Sequence, residues 1–119
     1  VSASPPMQSP VSPHRIQFIF AQHNQSLELT LRQSLTLGRQ VPHESTTIDL
    51  TEYGAYRLGL SREHVQIVPS AGHIMIQDLN SRNGTKLNGY ELIPHTLYEL
   101  HDGDMLELGM MGLHVRFVR

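Results

Sequence analysis

The sequence predicts an all-β domain, a sandwich or a barrel, from three observations. Apolar residues alternate with polar ones at a period of two, turn-forming pairs interrupt the pattern at short intervals, and no stretch supports a long amphipathic helix. Ile16, Phe18 and Phe20 open the pattern, and Leu27, Leu29 and Leu31 continue it around Glu28 and Thr30, followed by Leu35 and Leu37. Val65 with Ile67, Ile74 with Ile76, Leu97 with Leu100, Leu106 with Leu108, and Leu113, Val115 and Phe117 supply the later segments. Ser70-Ala71-Gly72, Asn83-Gly84, Asn88-Gly89 and Asp102-Gly103-Asp104 separate them with residues that accept positive φ or tight reversal. A fixed-period repeat is absent, which argues against a propeller or solenoid.

Two stretches depart from this pattern. Residues 1–13, VSASPPMQSPVSP, are rich in proline and serine and carry no apolar periodicity, so they are expected to form a disordered linker or tail, with the folded unit at 14–119. Gln40 to Gly59 mixes polar residues with Pro42 and Gly54 and is expected to be mainly a long connection, the kind of segment that carries binding on a rigid β-scaffold.

Composition excludes several functions. The 119 residues contain no cysteine, which removes disulfide scaffolds and thiol-based zinc or redox chemistry. A formal net charge of -2 gives no positive field for nucleic acid, and no apolar run is long enough to span a bilayer. With no cysteine framework and no signal peptide in the opening residues a cytoplasmic location is the expectation, and the Ser/Pro-rich start suggests a domain within a larger protein, expected to be monomeric. The cations are eight arginines and one lysine, Lys86; the planar arginine fork favours bidentate capture of phosphate or carboxylate.

Four loop signals stand at strand ends: Gly38-Arg39, Ser61-Arg62-Glu63-His64, Asn80-Ser81-Arg82-Asn83-Gly84-Thr85, and Asn88-Gly89. In this order and strand context they resemble the forkhead-associated (FHA) domain, over about residues 16 to 119. The resemblance implies a β-sandwich of two mainly antiparallel sheets, about 11 short strands, that binds phosphothreonine peptides through its loops. It implies no cofactor and no enzymatic activity. Phosphothreonine proteins or peptides, the products of Ser/Thr kinases, are the partners it implies; nucleic acid and membrane are not.

A phosphate dianion on an extended peptide needs clustered donors, at least one cationic, on a preformed surface. By the resemblance, Arg39 contacts the phosphate, Ser61 donates its hydroxyl, and Arg62 adds a main-chain or side-chain donor. Arg82 is expected to contribute more through its backbone than its side chain, and Asn83 to pair with the main chain of the peptide. Gly38, His64, Gly84, Thr85, Asn88 and Gly89 are expected to support the site without touching phosphate. Arg39 and Ser61 stand farther apart than is usual in the family. Tyr53 and Tyr56 lie in that insertion, and Arg57, Leu58 and Gly59 just before Ser61 are the candidates for selecting residues after the phosphothreonine.

Other motifs carry less. The histidines form no ligand pair, Asp102-x-Asp104 lacks the further oxygen ligands of a calcium loop, and no nucleotide loop or nucleophile elbow occurs. The alternative function is an FHA-like scaffold that docks protein without phosphate; a glycan-binding sandwich ranks below it, since tryptophan is absent.

Overall fold

The computed structural model describes residues 14–39 and 47–118; the linker expected at 1–13 and the start of the long connection lie outside the described residues. Among the described residues eleven strands form two sheets. In chain order they are β1 (His14–Phe20), β2 (Ser26–Leu31), β3 (Leu35–Gly38), β4 (Thr47–Asp49), β5 (Glu63–Ser70), β6 (His73–Asp78), β7 (Thr85–Leu87), β8 (Tyr90–Glu91), β9 (Tyr98–Leu100), β10 (Met105–Leu108) and β11 (Met111–Val118). One sheet runs β2-β1-β11-β10-β7-β8 and the other β4-β3-β5-β6-β9. The β3–β4 pair is parallel; the other pairs are antiparallel.

The alternation seen in the sequence places the core. Ile16, Phe18 and Phe20 from β1, Leu106 and Leu108 from β10, and Leu113 and Val115 from β11 are buried on one sheet. Leu35, Leu37, Val65, Ile67, Ile74, Ile76 and Leu100 face them from the other. At about 25 cal/mol per Å² of apolar area removed from water, this interleaved layer is the main favourable contribution to folding. The hairpin turns use the residues expected: Ala71 and Gly72, and Asn88 and Gly89, all have positive φ, matching the twist of the strands they join.

Two local departures shape the loop end of the sandwich. The stretch expected to be a long connection holds β4 and a single turn of 3-10 helix, Thr51–Tyr53. It is fastened to the core by buried Leu50 and Ala55, by buried Leu60 immediately after it, and by Tyr53, whose ring stacks on Phe20 at 4.1 Å between centroids. Leu97, expected with Leu100 in one strand, precedes β9 and is exposed.

The second departure is a β-bulge. The β3–β5 register pairs Leu37 with Val65 but Gly38 with Glu63, so His64 is the extra residue. Consecutive residues His64 and Val65 are thereby both buried, which strict alternation forbids. At the bulge the chains come so close that a Cβ on Gly38 would stand 1.7 Å from the Arg62 carbonyl oxygen. Only glycine fits there.

Candidate functional site

Three loops converge beyond the bulge: the end of β3 with Arg39, residues 54–62 before β5, and residues 79–84 between β6 and β7. Between them lies an open groove of about 270 Å³ lined by Arg39, Tyr56, Gly59, Leu60, Ser61, Arg82 and Asn83. Four of the five expected phosphate-site residues are in that lining; Arg62, which is exposed, is not.

Each side chain is held by a traceable bond. The Arg39 amide donates to the Arg62 carbonyl (3.1 Å) and its Nε donates to the Leu60 carbonyl (2.6 Å). Its guanidinium lies over the Tyr56 ring, 4.8 Å from the centroid. The Ser61 hydroxyl oxygen accepts the Arg82 backbone N–H at 2.9 Å, an arrangement that directs the serine's own proton to another acceptor. The expected weight on the Arg82 backbone thus has a specific form: it orients the serine. Asn83 Nδ2 donates to the Gly59 carbonyl at 2.9 Å. Gly59 has φ +85, and a Cβ there would stand 2.8 Å from that same amide nitrogen, so glycine is required for this approach.

His64 ties the loops from beneath. The Ser61 N–H donates to Nδ1 at 2.9 Å, so the ring proton sits on Nε2 and is donated to the Gly84 carbonyl, also at 2.9 Å. Burial pushes the His64 pKa below its ordinary 6.5, outweighing the opposing effects of Gly84 and Asp78. The Gly84 carbonyl accepts a second bond from the Gly109 N–H in the β10–β11 turn.

Asp78, buried at the end of β6, organises residues 81–85. It accepts bonds from the Ser81 amide and hydroxyl and from the hydroxyl of buried Thr85, at 2.6 Å for the last. Burial alone raises its pKa, but these hydrogen bonds and the nearby His64 more than offset that, and the carboxyl sits below its usual 3.8. Sequence analysis missed this role, although an aspartate three residues before a serine is a turn signature that contains it.

The remaining candidates lie elsewhere. Arg57 folds back on its own loop, with Nη2 3.1 Å from where a Gly54 Cβ would stand, and neither it nor Leu58 lines the groove. Leu58 instead offers its carbonyl to the Met110 amide, joining this loop to the β10–β11 turn. Asn88 bonds Asp104 and the Met105 backbone, bracing the Asp102–Asp104 turn. Among the described residues no acidic or histidine cluster suits a metal ion, and no helix is long and apolar enough to cross a membrane.

A β-sandwich with a loop-built polar groove has the architecture of a binding module. Residues 35–109 match the FHA domain family, and the chain belongs to it. An FHA domain-containing protein of Arabidopsis thaliana is 47% identical over 51 residues, 43% of this chain but 13% of that protein's length. The solution structure of the FHA domain of an Arabidopsis thaliana hypothetical protein superposes with a TM-score of 0.73 at 29% identity, covering 95% of this chain and 96% of that one. An FHA domain from a structural and functional analysis of phosphothreonine-dependent FHA domain interactions gives a TM-score of 0.66 at 25% identity, covering 88% and 98%.

Proposed function

We propose that this domain binds phosphothreonine peptides of partner proteins and so couples Ser/Thr kinase output to assembly in the cytoplasm. The observation that carries the reading is the convergence of Arg39, Ser61 and Arg82 on one groove, with Ser61 accepting the Arg82 amide and its proton directed elsewhere. A cation, a hydroxyl donor and a second arginine on a preformed surface are what a phosphate dianion needs. In this reading Arg39 and Ser61 contact the phosphate, Arg82 and Arg62 add positive charge, and Asn83 pairs with the peptide backbone. The relation to an FHA domain studied for phosphothreonine-dependent interactions supports the same ligand.

Charge-assisted hydrogen bonds of about 1.5–3 kcal/mol each, less desolvation and lost freedom, lead to micromolar binding, on the order of -8 kcal/mol. The test is an oriented phosphothreonine peptide library with unphosphorylated and phosphoserine counterparts, followed by titration of the selected peptide. Selective capture of the phosphothreonine set is expected. Equal binding of phosphorylated and unphosphorylated peptides would replace this reading with the phosphate-independent scaffold.

A further inference from the structure

Tyr56 is the aromatic residue of the groove lining, and it is 68% exposed although main-chain hydrogen bonds close its loop. Main-chain bonds from Leu58 to Gly54, Gly59 to Tyr56 and Leu60 to Ala55 close a compact turn around it. Ala55 and Leu60 on either side are buried. The chain therefore fixes the base of a ring that it leaves in solvent, and the Arg39 guanidinium lies against that ring, 4.8 Å from its centroid.

We infer that Tyr56 is a positioning residue for Arg39, setting the plane in which its guanidinium meets a phosphoryl group; this rests on the phosphothreonine reading above. Arg39 is already fixed at its backbone by Arg62 and at Nε by Leu60. The first bond holds the base of the side chain and the second the end of its stem, and the aromatic face adds a restraint on the orientation of the fork. A long arginine side chain loses considerable rotamer freedom when it engages a ligand, and a fork held beforehand loses less. The ring therefore strengthens phosphate binding through Arg39, and its effect disappears when the planar cation does.

The experiment measures affinity for the library-selected phosphothreonine peptide in the 119-residue protein, in Tyr56→Phe, Tyr56→Leu, Arg39→Lys and the Arg39→Lys/Tyr56→Leu double variant. The Arg39 Nε–H resonance is recorded in parallel without ligand. Tyr56→Leu is expected to weaken binding about two- to fivefold, the range for an exposed cation–π contact, and to move the Nε–H resonance as the ring-current effect is lost. Tyr56→Phe, which keeps the ring face, should retain both properties. In the Arg39→Lys background the further loss on Tyr56→Leu should shrink towards none.

Unchanged affinity in Tyr56→Leu, or an equal loss in both Arg39 and Lys backgrounds, overturns the inference while leaving the phosphothreonine reading intact. If Tyr56→Phe binds as weakly as Tyr56→Leu, the hydroxyl is responsible and the inference is likewise overturned. A parent protein that does not distinguish phosphorylated from unphosphorylated peptide overturns the reading itself, and the inference falls with it.

Discussion

In the proposed reading Arg39 and Ser61 are the residues that contact phosphate, and neither belongs to the apolar core. Replacing either by alanine should leave circular dichroism and melting temperature close to the parent while reducing phosphopeptide affinity at least about tenfold, one charge-assisted bond being worth about 1.5–3 kcal/mol. Parent-like affinity in both variants would show that phosphate binds elsewhere. Gly38 is the opposite case, a residue with no side chain on which the whole site depends. With a Cβ only 1.7 Å from the Arg62 oxygen, Gly38→Ala must separate β3 from β5. A destabilisation of about 3 kcal/mol or more is expected in urea denaturation, at the upper end for overpacked sites. Short motifs mark Gly38, Arg39, Ser61 and Asn83 in the sequence, and the structure places the last three in the groove lining. The sequence could not reveal the Leu60 carbonyl under Arg39, because every residue carries that group.

At the scale of elements, the strands with strict alternation were legible and the irregular ones were not. β4, β7 and β8 have three, three and two residues, too few for a period of two to register. The bulge at His64 was hidden for a related reason: an added residue puts two neighbours on the same face, and only the partner strand reveals it. The β6–β7 loop depends on Asp78 in a way that can be measured. Asp78→Ala leaves the Ser81 amide and the buried Thr85 hydroxyl without their acceptor. The loss should be at least about 1–3 kcal/mol, and phosphopeptide binding should weaken as well, since Arg82 and Asn83 ride on that loop. A variant with parent stability but impaired binding would confine Asp78 to the loop's local order.

For the molecule as a whole, pH is expected to act on stability and on the proposed phosphopeptide binding in the same direction. His64 has its folded pKa lowered from 6.5, so below pH 6.5 the unfolded chain binds more protons at this residue and stability falls as pH drops. Asp78, lowered from 3.8, loses its contribution only at still more acid pH. Urea midpoints should therefore be lower at about pH 5 than at about pH 7.5, and His64→Gln should flatten that difference even though it is less stable throughout. An unchanged slope in His64→Gln would assign the effect to another group. Phosphopeptide binding should also weaken below about pH 6, where the phosphate dianion takes up a proton, and with added salt.

The Gly84 carbonyl accepts from both His64 and Gly109, and Leu58 and Met110 share a bond nearby. Anyone transplanting this groove to a new scaffold would have to move the end of β3 with Arg39 and the β4–β5, β6–β7 and β10–β11 segments together. Grafting the arginine- and serine-bearing pieces without the last turn would leave one of the two donors to that shared oxygen behind, and the copied residues would arrive without their original spacing.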